Sequence, residues 1–203
     1  MKDFAFEQLK PLFAAHGKRL YLVGGTVRDL LLGRAYVDHD MVTDATPDQI
    51  KVFLPDASYT FAKYGSVRLK LNGEEVDVTT LREEGEYRDH RHPSFIKFVT
   101  DPKIDSKRRD FTINAMYLDE DYNLLDFYDG QKDLSDHLIR FIGDPYKRIE
   151  EDPLRILRAE RFAEVLGFAI EKETKKAIDD SQHLLSALRK EKIEEEDRKR
   201  RKG

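Results

Sequence analysis

The run Leu22-Val23-Gly24-Gly25-Thr26-Val27-Arg28-Asp29, followed by Gly33-Arg34 and then Asp38-His39-Asp40, decides how this chain is read. An apolar segment ends in two glycines, a short helix bearing an arginine opens, and a strand presenting two carboxylates comes next. Glycines let a backbone approach an anion closely, and the N–H groups at a helix start form an anion site. Carboxylates at i and i+2 of a strand share one face, about 6.5 Å apart along the chain. That spacing suits two Mg²⁺ ions roughly 4 Å apart, the clamp used for in-line displacement at phosphorus. Alone, Asp38 and Asp40 read as easily as surface carboxylates, and a tight turn whose Arg28 pairs with Asp29 needs no ligand. In this order and at this distance they predict a site for a metal-bound triphosphate, with Asp38 and Asp40 on the metal and Gly25 and Arg28 on the phosphates. Arginine suits that task because its planar fork grips phosphate bidentately. His39 is expected on the opposite face of the strand, in packing.

Outward from this stretch, residues 4–16 carry a helical apolar pattern through Phe4, Leu9, Leu12 and Phe13, and Leu20–Val23 reads as a buried strand. Thr46-Pro47 marks another helix start, as N-cap and first position. Residues 64–78 alternate about Asn72-Gly73 as a hairpin. Within it Asp77 lies between Val76 and Val78, where an unpaired charge is expensive; it reads equally as a third carboxylate or as an arginine's partner. Residues 82–94 have no period and many charges, which predicts a mobile loop. A short strand is expected at 95–99, a helix at 111–116 and strand-like pieces over 117–128. From Asp144-Pro145 the pattern turns helical. One helix runs from an Asp152 N-cap and Pro153 to Gly167, a second from Lys172 to Ser181, and a third starts near Leu184. The expected organisation is a mixed α+β head domain over 1–143 and a helical segment over 144–203. The closing charge run, Glu194–Lys202, is expected to be a solvated helix end, with a functional basic tail as the alternative.

With no cysteine among 203 residues, a disulfide framework and a thiolate zinc site are excluded. The N-terminal residues lack the apolar core of a signal peptide, and no run approaches ~18 uninterrupted apolar residues, so no membrane span is expected. A net charge of −4 gives no global basic patch. Positive charge is concentrated locally, at Lys107-Arg108-Arg109 and at Arg155, Arg158 and Arg161.

Asp110 directly before Phe111 reads as a cap, which aims Arg109 inward at ribose or phosphate. Arg155, Arg158 and Arg161 fall at i, i+3 and i+6, a slanting stripe beside the apolar face of Ile156, Ala159, Phe162, Ala163 and Leu166. That stripe is either a solvated basic face or a nucleotide-contacting one. In the second case Asp152 and Arg155 present an acceptor and a donor to a base edge.

Five ordered blocks carry a resemblance: Gly24-Gly25-Thr26-Val27-Arg28-Asp29; Asp38-His39-Asp40; Arg108-Arg109-Asp110-Phe111-Thr112-Ile113-Asn114; Asp126 through Gly130 to Asp133; and Glu151-Asp152-Pro153-Leu154-Arg155 through Arg158 to Arg161-Phe162. Together they resemble the class II tRNA nucleotidyltransferases and bacterial poly(A) polymerases over residues 20 to about 168. The loop with Arg82, Gly85, Tyr87, Asp89, Arg91 and Pro93 is similar to the flexible loop between that family's catalytic motifs. The resemblance implies a polymerase-β-like nucleotidyltransferase head, a mixed sheet with flanking helices, followed by an all-helical neck. It implies catalysis by Asp38 and Asp40 with two Mg²⁺ ions. Triphosphate would be held by Gly25, Arg28 and Arg109, and the nucleotide pocket formed by Asp152, Arg155, Arg158 and Arg161, with Asp152 and Arg155 selecting CTP or ATP. The substrate it implies is a tRNA 3′ end in the cytoplasm, and the product a CCA terminus; a homodimer stays open. Poly(A) addition, partial addition of CC or A, and a non-catalytic nucleotide- or RNA-binding module are the alternatives. Family members are longer, with further helical domains that grip tRNA, so this sequence is expected to stop at the start of the RNA-binding region.

Overall fold

The computed structural model describes residues 2–36, 38–87 and 93–202. The chain divides into two compact units. One comprises residues 1–84, 96–108 and 114–127, the other 85–95, 109–113 and 128–203.

The first unit contains α1 (Phe4–Ala15), β1 (Leu20–Val23), α2 (Gly25–Leu32), β2 (His39–Thr43), α3 (Pro47–Phe53), β3 (Ser66–Leu71), β4 (Glu74–Thr80), β5 (Arg82–Glu84), β6 (Ile96–Phe98), α4 (Pro102–Ser106), β7 (Met116–Leu118) and β8 (Leu124–Asp126). Six strands form one sheet in the order β3-β4-β2-β1-β7-β8. It is mixed: β2 and β4 run parallel, and the remaining neighbours are antiparallel. The β1 segment is apolar throughout because both its faces are covered, and all four of its residues are buried. On one side Tyr21, Val23, Val42, Leu81 and Tyr117 pack together, with Val99, Leu125 and Phe127 against them. Each such large apolar side chain contributes about 1.5–3 kcal/mol on burial. The Thr46 start of α3 is a complete capping box with Gln49.

The second unit contains α5 (Gly130–Ser135), β9 (Leu138–Ile139), α6 (Pro145–Glu151), α7 (Leu154–Leu166), β10 (Ala169–Ile170), α8 (Lys172–Asp180) and α9 (Lys190–Lys202). Gly167 ends α7 with φ +70°, a left-handed cap that glycine adopts without a steric penalty.

Several expectations change. Residues 82–84 are a strand paired with β6, and Tyr87 bridges Pro93, so these parts of the 82–94 stretch are ordered by pairing. Asp89 and Arg91, singled out in that stretch, lie outside the described residues. No helix forms over 111–116; a single 3₁₀ turn spans Thr112–Asn114 and Met116 begins β7. The backbone there is committed elsewhere: Phe111 bridges Phe141, the Thr112 N–H donates to the Arg140 carbonyl, and Ile142 N–H donates to the Asp110 carbonyl. From Pro145 to Lys202 the described residues form helices joined by short connections, apart from β10, which pairs in parallel with β9, and residues 182–187 are 3₁₀ rather than α. The charge run is helical and largely solvated as expected, with Glu194, Asp197, Arg198, Lys199 and Arg201 exposed, but one edge of it is packed. In α9 Glu196 is 4% exposed and pairs with Arg161, while Arg200 pairs with Glu164 at 3.2 Å. Among the described residues no helix is long and apolar enough to cross a membrane.

Candidate active site

In the first unit, the backbone of residues 38–40 is held by one hydroxyl. Thr26, on the first turn of α2 and buried, donates from Oγ1 to the Asp38 carbonyl at 2.8 Å and accepts the Asp40 N–H at 3.0 Å. Asp38 is exposed and stands just before β2, which begins at His39; Asp40 is half-buried within the strand. The expected alternation holds at His39, whose side chain is buried. Gly24, at φ +69° and ψ −135°, makes the turn into α2, a conformation open to glycine and strained for residues with a Cβ.

Asp77 takes the second half of its alternative, that of an arginine's partner, although it stands beside Asp40 in the parallel register of β2 and β4. Its oxygens are engaged by Arg68, Nε to Oδ1 at 2.7 Å and Nη2 to Oδ2 at 2.9 Å. The Asp77 hydrogen bond and charge raise the Arg68 pKa, with smaller help from Glu75 and Asp38. Among the described residues no group of three or more His, Asp or Glu is placed to hold a metal ion. Mg²⁺ is ordinarily held by one or two carboxylates, with water and substrate phosphates completing its shell. The Asp38–Asp40 donor set fits that pattern.

Arg28 is 8% exposed. Its guanidinium is bidentate to Asp29, at 2.9 and 2.8 Å, and Nη1 reaches Asn114 Oδ1 at 2.9 Å. The pairing with Asp29 is therefore present, and the structure adds Asn114, which brings the first and third sequence blocks together. A Cβ on Gly25 would stand 3.5 Å from Arg28 Nη2, so the guanidinium folds back over the helix start.

In the second unit the arginines are tied to named partners. Arg148 Nη2 donates to the Arg109 carbonyl at 2.7 Å. Arg155, 6% exposed, donates from Nη1 to the Arg148 carbonyl at 2.6 Å and to Glu151 Oε2 at 2.8 Å, with its guanidinium 5.7 Å from the Tyr87 ring centre. Burial, and then the neighbouring Arg155 charge, lower the Arg148 pKa against the pull of Glu151. Arg158 Nε donates to Asp110 Oδ2 at 2.7 Å, and Asp110 Oδ1 accepts the Phe111 N–H at 2.8 Å. Burial disfavours both charges of that pair, but their mutual attraction outweighs it, so the Arg158 pKa rises and the Asp110 pKa falls. Arg161 Nε donates to Glu196 Oε2 at 2.7 Å and its guanidinium sits 4.2 Å from the Phe162 ring centre. Asp152 is the C-cap of α6 and its Oδ1 accepts the Leu154 N–H at 3.0 Å; the N-cap of α7 is Pro153, one residue later than expected.

Residues 20–140, more than half of the chain, match the poly A polymerase head domain. The chain belongs to that family. The CCA-adding enzyme of Lactobacillus helveticus (strain DPC 4571) is 43% identical to it over 180 residues, 89% of this chain and 45% of that protein. Among solved structures, the Bacillus stearothermophilus CCA-adding enzyme in complex with CTP matches at a TM-score of 0.88 and 34% identity, over 98% of this chain and 49% of that one. A tRNA nucleotidyltransferase complexed with a primer tRNA and an incoming ATP analog matches at 0.74 and 32%, over 94% of this chain and 55% of that one. The chain thus spans about half the length of the relatives it matches.

Three residues of the chain carry structure at the site that sequence reasoning left without a role. Thr26 clamps residues 38–40; a threonine after Gly-Gly is visible, its partner 12 residues away is not. Asp133, 3% exposed, accepts from Thr112 Oγ1 at 2.7 Å and Arg140 Nε at 2.9 Å, which joins the third and fourth sequence blocks. Glu151 bridges Arg148 and Arg155; its i+4 spacing to Arg155 was the available signal.

Proposed function

We propose that this chain is the catalytic part of an RNA nucleotidyltransferase that adds CCA to tRNA 3′ ends in the cytoplasm, using CTP and ATP. The reaction is attack of the RNA 3′-hydroxyl on the α-phosphate with release of pyrophosphate. The observation that carries this reading is the 38–40 tripeptide, two carboxylates on a backbone pinned by Thr26 in a chain homologous to CCA-adding enzymes.

Asp38 and Asp40 hold Mg²⁺, for which carboxylate oxygens are the matching hard donors. Bound there, the ion supplies a lowered pKa for the attacking hydroxyl and neutralises charge on the triphosphate. The Gly25 N–H, Arg28 and Arg109 orient the triphosphate. Asp152 and Arg155 read the edge of cytosine or adenine, as carboxylates and guanidinium groups do by donor and acceptor complementarity. Arg158 and Arg161 complete the nucleotide pocket. No side-chain nucleophile is required.

The test is incorporation of labelled CTP and ATP, separately and together with Mg²⁺, into tRNA lacking its CCA end, with Asp38→Ala/Asp40→Ala as control. Addition of two C and one A, lost in the control, is the expected result. A run of A alone favours polyadenylation, the reading suggested by the family's own description. Nucleotide binding without incorporation assigns the chain to a non-catalytic module, the reading suggested by its half-length span of its relatives.

A further inference from the structure

The residue between the two carboxylates is held more tightly than packing alone requires. His39 is 4% exposed, and each of its ring nitrogens meets a carboxylate: Nδ1 lies 2.7 Å from Asp3 Oδ2 and Nε2 lies 2.7 Å from Glu74 Oε2. Asp3, 1% exposed, is itself fixed. Its Oδ1 accepts the Phe6 N–H at 2.7 Å as the N-cap of α1, its Oδ2 also accepts from the Tyr36 hydroxyl at 2.9 Å, and its N–H donates to the Tyr122 hydroxyl at 3.0 Å. The Phe4 and Tyr36 rings meet the imidazole edge-on at 4.9 and 5.6 Å between centres. With both ends of the ring engaged, rotation about its own axis is blocked.

Successive side chains of a strand point to opposite faces. A fixed imidazole therefore fixes the Cα of residue 39 from one face, while Asp40, the next residue of the strand, lies on the other and Asp38 directly precedes the strand. Thr26 holds the two flanking peptide groups. We propose that the Asp3–His39–Glu74 brace is a positioning device that sets the pitch of the 38–40 tripeptide and thereby the metal affinity of Asp38 and Asp40. It rests on the reading of those two carboxylates as the Mg²⁺ ligands. Ligands already held in place lose little freedom when an ion binds, and outer groups that orient ligands are worth about 10-fold or more in metal affinity. His39 is itself not a ligand, because both its nitrogens are turned to carboxylates, those of Asp3 and Glu74.

The experiment titrates Mn²⁺ into the full chain without nucleotide and reads unbound Mn²⁺ by electron paramagnetic resonance, with thermal melting recorded for each variant. Wild type is expected to bind, and Asp40→Asn to lose binding. His39→Leu keeps an apolar volume and loses both contacts, so about 10-fold weaker binding is expected. His39→Gln, whose amide nitrogen can still donate to one of the two carboxylates while its oxygen cannot bond the other, recovers only part of the affinity. Glu74→Gln removes one charge at a half-exposed position and weakens binding about 3-fold; it decides the matter if His39→Leu does not fold. Folded His39→Leu and Glu74→Gln proteins that bind Mn²⁺ as tightly as wild type overturn the brace. Wild-type binding that is absent or indifferent to Asp40→Asn overturns the metal reading and removes the brace with it.

Discussion

The 38–40 tripeptide and the arginine face of α7 are both built from charged residues, and they are held in opposite ways. In the tripeptide the restraints fall on the backbone and on the intervening side chain, through Thr26 and His39. On α7 they fall on the charged heads: Arg155 on Glu151, Arg158 on Asp110, Arg161 on Glu196. Restraint through the backbone fixes where a carboxylate sits whatever its own oxygens contact, so the placement of the tripeptide does not depend on a charged partner. A guanidinium positioned by a carboxylate must share or exchange that partner when an anionic ligand arrives. The first arrangement favours affinity, the second favours sensitivity to salt and pH.

The largest effect that separates the two belongs to Asp110. In Asp110→Ala the Arg158 charge keeps its partly buried position without its partner, and about 3 kcal/mol of stability is expected to go, the low end for a broken buried pair. Urea unfolding measures it; a loss under about 1 kcal/mol would place the pair among ordinary surface bridges and break the contrast. The pH dependence has a fixed sign. The Asp110 pKa is depressed below its ordinary value near 3.8. Its contribution is therefore complete above that value and is lost as pH falls through the lower, folded value. Melting curves of wild type and Asp110→Asn should converge as the pH drops below about 3.8.

Thr26→Val probes the other arrangement. The substitution keeps the shape and removes the hydroxyl that bonds the Asp38 carbonyl and the Asp40 N–H. About 2 kcal/mol is expected from two such bonds, with a drop in nucleotide incorporation larger than the stability loss explains. Incorporation equal to wild type at matched folded fraction would show that the backbone clamp is not what positions the carboxylates.

Much of this was legible in the chain itself. The glycine turn, the strand Leu20–Val23, the Asn72-Gly73 hairpin and the Thr46 cap all rest on short-range rules, and each forms where the pattern puts it. The failures share a cause. Residues 111–116 and 82–84 take their structure from partners far along the chain, at Arg140–Ile142 and at β6, and a local window contains neither. The site divides the same way. The carboxylates, Gly25, Arg28 and the arginine stripe stand out by residue type and spacing, whereas Thr26, Asp133 and the Asp3–His39 contact become visible only when α2, α5 or α1 is folded against its partner. The charge run was legible as a solvated helix, but its composition does not show that one of its residues, Glu196, sits 4% exposed on Arg161.

The smallest expected effect is the one that best sharpens the contrast. Glu196→Gln keeps an acceptor for Arg161 and removes the counter-charge, so stability should change by only about 1 kcal/mol, that of one charge-assisted bond weakened to a neutral one. If Arg161 belongs to the nucleotide pocket, a guanidinium released from its carboxylate attracts the triphosphate more strongly. CTP and ATP should then bind severalfold tighter at low ionic strength, with the gain shrinking as salt rises. Equilibrium binding of the two nucleotides at several salt concentrations reads this directly. Unchanged affinity at every salt concentration would mean that Arg161 works for α9 rather than for the nucleotide, and the exchange of partners would then be confined to Arg155 and Arg158.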